Sequence, residues 1–189
     1  MSGQVEEMRG PILSGPLGSA VTLGALVRTV AAFEPLVVLA PLWLGERLSS
    51  TARVVMLVEP HERPRALRAR RRARKAGHVL DVAVGADALP VRPGSVGALV
   101  VESVATLSPD EAGRWISALA PCLRPGGRMV AVDGTSSPAA AARVAGVFLS
   151  AALMDLCQEW PRDGVVLTVG VAPSAPIVAA RFGAAASSG

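Results

Sequence analysis

Short apolar runs rich in valine alternate with helix-like segments along most of this chain. Five of the runs have the length and composition of strands buried on both faces of a sheet: PLVVLAPLWL, RVVMLVEP, HVLDVAVG, VGALVVESV and RMVAVDG. Two further runs, DLCQEWP and GVVLTVGVA, flank a turn at Arg162, Asp163 and Gly164, which is typical of an antiparallel hairpin. This order predicts an α/β fold with a mainly parallel, seven-stranded sheet, flanking helices and a C-terminal antiparallel hairpin.

Capping residues predict where one of the later helices begins. Ser108, Pro109 and Glu111 have the spacing of a capping box with proline at the first helical position. We expect this helix to run to about Leu123 and the following LRPGG to form a turn. Together with the next strand, these segments complete one more helix and strand of the alternating pattern.

The composition is that of one globular domain with loose ends. Hydrophobic residues make up 51% of the 189 residues and charged residues 18%, which excludes a disordered chain. Residues 1–18 hold four glycines and two prolines without a sustained period, so they predict a flexible N-terminal arm. We therefore expect the domain over residues 19–173 and a C-terminal tail over residues 174–189.

Neither membrane attachment nor a metal site is indicated by the sequence. The longest apolar run with bulky residues is too short for a membrane span, and the N-terminus lacks the order of a secretory signal, so we expect a cytoplasmic protein. Cys122 and Cys157 lie far apart and outside any metal-binding spacing, and we expect each to be a buried thiol.

One segment makes the protein basic. Eight basic residues and no acidic ones lie between Arg63 and Lys75, which leaves 11 basic residues against 15 acidic ones in the rest of the chain. A helix over residues 63–76, closed by Gly77, would place one face of alanines on the sheet: Ala66, Ala69, Ala73 and Ala76. Its opposite face would be a basic surface: Arg65, Arg68, Arg71, Arg72 and Lys75.

That basic surface has two interpretations. It is either a solvated outer face or a ridge that binds phosphates or an acidic partner. No aromatic residue is interleaved with the arginines to stack on bases, so we expect at most weak, salt-sensitive binding of nucleic acid.

The segment from Val54 to Asp133 resembles class I S-adenosylmethionine-dependent methyltransferases. VVMLVEP stands for their second strand, ALPVRPGSVGALVV for the segment around their fourth strand, and LSPDEAGRWISALAPCLRPGGRMVAVDGT for their fourth helix and fifth strand. The resemblance extends more weakly over residues 19–173. It implies a Rossmann-like methyltransferase fold, with ligands at the carboxyl ends of the strands.

The cofactor loop of that family is altered in this chain. The family's first strand ends in an acidic residue followed by a G-x-G-x-G loop, because glycines let backbone amides approach the cofactor. Here Leu39 stands for the acid, Pro41 and Trp43 stand for two of the glycines, and only Gly45 matches. Proline also removes an amide donor, so the sequence predicts a blocked loop.

The acidic positions of the family are only partly kept. Glu59 matches the carboxylate that binds the ribose hydroxyls, whereas Gly85 stands where an aspartate contacts the adenine, with Asp87 displaced by two residues. The acid common before the fourth strand falls on Gly97. The resemblance therefore leaves Gly45, Glu59 and Asp87 as cofactor-binding candidates.

No catalytic residue can be assigned. Past the fourth strand, where substrate-side residues of the family often cluster, Glu102 and Ser103 are the only polar candidates, and Asp133 ends the fifth strand near the rim of the family's active site. Either a turn-forming role or a place in the active site explains Asp133 equally well.

The sequence favours a methyltransferase-fold protein that has lost its cofactor and acts through protein contacts. In this hypothesis it is a pseudoenzyme with a regulatory, structural or assembly role, and the surplus of apolar residues ends in an interface with a partner or with a second copy. One alternative is an active S-adenosylmethionine-dependent methyltransferase on a small molecule or protein. Another is nucleic-acid binding through the basic helix 63–76.

Overall fold

The strands lie in one mixed sheet, as the sequence predicts. The computed structural model describes residues 20–40, 42–84 and 91–174. Seven strands pair in the order β3-β2-β1-β4-β5-β7-β6, with parallel pairing among the first five and antiparallel pairing of β7 to both of its neighbours. The strands are β1 (Leu36–Leu39), β2 (Val54–Val58), β3 (Leu80–Val84), β4 (Val96–Glu102), β5 (Leu123–Asp133), β6 (Met154–Arg162) and β7 (Val165–Val171).

Helices cover both faces of the sheet and close two apolar cores. The helices are α1 (Ala20–Val30), α2 (Leu42–Leu48), α3 (Arg63–Lys75), α4 (Pro109–Leu119) and α5 (Pro138–Ser150). The first three pack against one face, where Leu26, Leu48 and Met56 are fully buried. The last two pack against the other face around Ile116 and Phe148. This layering places the carboxyl ends of β1, β2, β4 and β5 at one common edge.

Local signals in the sequence explain several of the element boundaries. The Ser108 side chain accepts a hydrogen bond from the Glu111 N–H, and the Glu111 side chain reaches back to the Ser108 N–H, which confirms the predicted capping box. Gly77, with φ of +79°, follows the cap of α3 in the left-handed conformation that closes many helices.

Two predicted boundaries are wrong. The first apolar run, PLVVLAPLWL, divides into a four-residue strand, β1, and the start of α2, because its second half continues as a helix that packs on β2. The helix predicted to run to about Leu123 is α-helical to Leu119 and continues as a 3-10 turn over Ala120–Cys122, whereas LRPGG, predicted as a turn, belongs to the start of β5. There β5 departs from its register with β4, and Gly126 takes the positive φ that a turn would require.

The predicted N-terminal arm, residues 1–18, lies outside the described residues, as does the predicted tail after Ser174. Within the described part of the chain, every helix falls short of the length and hydropathy that a membrane crossing requires. Cys122 is buried as expected, whereas Cys157 is exposed because it lies on β6, at the edge of the sheet.

Candidate functional site

The connection from β1 to α2 occupies the place of the family's cofactor loop. β1 ends at Leu39 and α2 begins at Leu42, so only two residues join them, and the second, Pro41, lies outside the described residues. A phosphate- or cofactor-binding loop of this kind works by presenting several backbone amides. A two-residue connection that contains a proline has one amide N–H of its own to offer.

Gly45 lies inside α2 rather than in a loop. It is buried, and a Cβ atom added to it would lie 1.8 Å from the Met56 sulfur, at the centre of β2. The glycine therefore allows α2 to pack closely on the sheet. Its part in packing gives a physical reason for a glycine here that does not involve a cofactor.

Trp43 packs against the core as well. Its side chain contacts the apolar cluster under α1, α2 and α3, and its indole Nε1 is buried without a hydrogen-bond partner. Its contacts are therefore those of a tryptophan that packs on the core, and not of an open platform on which a base could stack.

Among the described residues, Glu59 is the one predicted cofactor residue that lies at the edge formed by the carboxyl ends of the strands. It follows β2, its carboxylate is exposed, and its Oε2 lies 3.1 Å from the His61 Nδ1. The Glu59 N–H donates to the Glu62 carboxylate, which anchors the short helical turn Pro60–Glu62. Asp87, the third candidate, lies outside the described residues, as does Gly85.

Gly97 does not belong to the ligand-binding edge. It lies at the amino end of β4, and a Cβ atom there would come within 2.2 Å of the Phe33 carbonyl oxygen. An aspartate cannot occupy this position without moving the backbone that leads into β1. Close packing of the backbone therefore explains the absence of an acid at Gly97, without reference to cofactor binding.

Two carboxyl groups lie close together where β4 and β5 end. Glu102 pairs in register with Val132, and Asp133 is the next residue of β5. Burial raises the pKa of the Glu102 carboxyl to about 7, and the nearby Asp133 carboxylate adds to this shift. Glu102 therefore changes charge near neutral pH.

Asp133 holds the turn that follows β4. It is fully buried, and its Oδ1 accepts a hydrogen bond of 2.7 Å from the Ala105 N–H, whereas its Oδ2 is buried without a partner. Burial raises the pKa of Asp133, and hydrogen bonds from the Ala105 and Val104 amides oppose this effect. Ser103, which lies between β4 and the short helical turn Val104–Thr106, has a positive φ of 61°. The carboxylate thus fixes the path of the chain out of β4.

The residues at this edge do not fit S-adenosylmethionine in the family's manner. Glu59 lies at this edge, but the connection between β1 and α2, where the family has its glycine-rich loop, is short, and Gly45 lies within α2 against Met56. Among the described residues, no group of three or more histidines, cysteines, aspartates or glutamates is arranged to hold a metal ion.

The basic helix forms where it is predicted. In α3, Ala66, Ala69 and Ala73 are buried against the sheet, whereas Ala76 is exposed because it follows the end of the helix. The five residues of the predicted basic surface are all exposed: Arg65, Arg68, Arg71, Arg72 and Lys75. One of them, Arg72, bonds through Nε to the Glu46 carboxylate at 3.1 Å.

A pocket of about 350 Å³ between α4 and α5 is not predicted from the sequence. Apolar side chains line most of it, and Gly113 and Gly146 leave open space on its walls. Arg143 is one of the lining residues and donates a 3.2 Å hydrogen bond to the Ala105 carbonyl. The pocket arises from the pairing of two helices that are distant in sequence, so no local pattern predicts it.

Comparison with solved structures places this fold among known proteins. The chain is similar to an O-methyltransferase family protein from Burkholderia thailandensis (16% identity, TM-score 0.61, 82% of this chain and 57% of that one). It is also similar to the (4+2)-cyclase SpnF (13% identity, TM-score 0.65, 86% of this chain and 85% of that one). A third match is the complex of the Haloferax volcanii Trm112 methyltransferase activator with a putative methyltransferase (18% identity, TM-score 0.55, 78% of this chain and 88% of that one).

These similarities define the fold. The chain has a class I S-adenosylmethionine-dependent methyltransferase-like fold, as its sequence predicts. It spans 55 to 61% of the length of four matched structures, of which two are described as O-methyltransferase family proteins and one as a putative O-methyltransferase. No family model matches the sequence, and no curated protein does.

Proposed function

We propose that this protein does not transfer methyl groups and acts through protein contacts, in a regulatory, structural or assembly role. The observation that carries the proposal is the two-residue connection between β1 and α2, which contains Pro41. A methyl donor needs a loop with free amides and open space at this point. Instead, the chain turns at once into a helix whose glycine packs on Met56.

Exposed apolar side chains support a role in protein contacts. Two of them, Met154 and Trp160, lie on β6 and are 51% and 42% exposed, and a third, Leu149, lies near the end of α5 and is 62% exposed. β6 is the last strand of the sheet, so within the described residues one side of it has no neighbouring strand. Large apolar groups that stay exposed at an edge are typical of surfaces that associate.

Two of the similar structures are compatible with the proposal. SpnF is described as a (4+2)-cyclase, so this fold also occurs in a protein described by another activity. The Haloferax volcanii protein is in a complex with an activator protein, so the fold also occurs in a protein assembly.

Thermal unfolding with the methyl donor tests the loss of cofactor binding. A ligand at 100 times its dissociation constant stabilises the folded state by about 2.7 kcal/mol. We expect no rise in melting temperature with millimolar S-adenosylmethionine or S-adenosylhomocysteine. In the alternative, an active methyltransferase on a small molecule or protein, the melting temperature rises with ligand concentration and Glu59→Ala reduces the rise.

Light scattering tests the protein contacts. At micromolar concentration we expect a mass above the 19.3 kDa monomer. The double variant Met154→Ser/Trp160→Ser should be a monomer, whereas Val79→Ser/Val84→Ser, which changes exposed side chains on and beside β3, should keep the higher mass. A monomeric wild-type protein contradicts the proposed self-association.

A further inference from the structure

The arginines of α3 fall into two groups that the sequence alone does not separate. Arg70 donates to the Asp81 carboxylate of β3 at 3.3 Å, and Arg72 donates to Glu46 of α2 at 3.1 Å. At 100° per residue these two arginines lie on opposite sides of the buried alanine face. They tie the helix to its two neighbours in the fold.

The side chains of the other basic residues of the helix have no bonded partner in the described parts of the chain. These side chains are all exposed and make no ion pair or hydrogen bond there: Arg63, Arg65, Arg68, Arg71, Arg74 and Lys75. Three of them, Arg68, Arg71 and Lys75, lie within about 60° of one another on the side opposite the alanines. We call these three residues the outer ridge.

Among the described residues, no acidic side chain forms an ion pair with the outer ridge. The two acids that do bond to the helix, Glu46 and Asp81, are bonded to Arg72 and Arg70, and Arg53 also lies 3.6 Å from Asp81. The carboxylate of Glu62, which precedes the helix, accepts a hydrogen bond from the Glu59 N–H. Like charges three and four residues apart destabilise a helix. Arg71 has such neighbours in both directions, Arg68 and Lys75, so folding does not account for the ridge.

The chemistry of the ridge favours the phosphates of a nucleic acid. Every large apolar side chain that is exposed in the described residues lies outside α3, so the helix offers no anchor for a protein interface core or for insertion into lipid. It has no aromatic group to stack on unpaired bases either. The outer ridge therefore offers a binding partner only a row of positive charges about 10 Å long, from Arg68 to Lys75.

We infer that the outer ridge of α3 binds the phosphate backbone of duplex nucleic acid, without regard to base sequence. The site is separate from the ligand-binding edge of the sheet and from β6. Binding of this kind releases counterions, so the affinity falls with salt by about 0.9 in the double-logarithmic slope for each phosphate contact. Three contacts correspond to a loss of about 40-fold in affinity for a fourfold rise in salt.

Fluorescence anisotropy with a labelled DNA duplex of random sequence, about two helical turns long, tests the inference. The triple variant Arg68→Gln/Arg71→Gln/Lys75→Gln removes the ridge and leaves the alanine face and both tying arginines in place. The control Arg92→Gln/Arg114→Gln/Arg124→Gln removes three exposed arginines elsewhere, so both variants lower the net charge of +4 by three. Single Arg71→Gln repeats the test with a smaller change, and circular dichroism verifies that each variant is folded.

We expect the wild type and the control to bind the duplex at low salt with similar affinity. The ridge variant should bind more weakly, and its salt slope should be smaller by up to about 2.7. An equal loss in both triple variants, or no binding by the wild type at low salt, overturns the inference. So does binding of polyglutamate, or of vesicles containing an anionic phospholipid, that is as tight as binding of the duplex.

Discussion

Gly45→Ala separates a packing role of this glycine from a cofactor role. The added Cβ would lie 1.8 Å from the Met56 sulfur, about 1.6 Å closer than ordinary contact, and 2.7 Å from the Met56 Cγ. Met56 is fully buried in the middle of β2, so it has little room to withdraw. The substitution should therefore destabilise the fold in the absence of any ligand.

The size of the effect follows from two opposing contributions. Overpacking of a well-packed core costs about 1 to 3 kcal/mol. Alanine is favoured over glycine inside a helix by about 1 kcal/mol, which offsets part of that cost. We expect a net loss of up to about 2 kcal/mol in the free energy of unfolding.

Urea denaturation of four proteins measures the effect: wild type, Gly45→Ala, Met56→Ala and the double variant. Removing the Met56 side chain opens the space that the new methyl group needs. The loss of stability in the double variant should therefore be smaller than the sum of the losses in the two single variants, by about 1 kcal/mol or more. Gly146→Ala is the control, since its Cβ would meet nothing within 4 Å. It should stabilise α5, by up to about 1 kcal/mol. If Gly45→Ala behaves like Gly146→Ala, the packing argument is wrong.

Three further results are expected from the carboxyl groups at the ends of β4 and β5. In the folded protein the pKa of Glu102 is about 7, above its ordinary value of 4.5. As the pH rises from 4.5 to about 7, the unfolded chain therefore loses this proton before the folded protein does, and the contribution of Glu102 to stability falls. The urea midpoint should therefore drop less from acidic to alkaline pH in Glu102→Gln than in the wild type. Glu59→Gln is the control for the change in charge. Equal drops in all three proteins would contradict the prediction. Asp133→Ala leaves the Ala105 N–H without its acceptor and should cost about 1 to 3 kcal/mol in urea denaturation. Asp133→Asn keeps an oxygen for that N–H and should cost less, and the reverse order contradicts the assigned role of Asp133.

Much of the fold could be predicted because its signals are local. The valine-rich runs, the capping box at Ser108 and the Asp163–Gly164 turn each specify an element without reference to the rest of the chain. The boundary between β1 and α2 could not be placed, since the run that spans it is apolar throughout. There the packing of α2 on β2 decides where the strand ends.

The candidate site was less predictable because it depends on pairs of residues distant in sequence. The sequence pattern places Gly45 at the end of the family's loop, but only the structure shows its contact with Met56. The structure likewise separates Arg70 and Arg72, which bind acids on β3 and α2, from the residues of the outer ridge. The sequence identifies Glu102 and Asp133 as polar residues at the ends of strands. The effect of Asp133 on the pKa of Glu102, however, depends on the pairing of β4 with β5.

Isothermal titration calorimetry with S-adenosylhomocysteine tests the central claim most directly, because it requires no knowledge of a substrate. The altered connection between β1 and α2 predicts no saturable heat up to millimolar ligand, for the wild type and for Glu59→Ala alike. A one-to-one binding curve for the wild type that is lost in Glu59→Ala would contradict the account, since it would show that the cofactor site is intact.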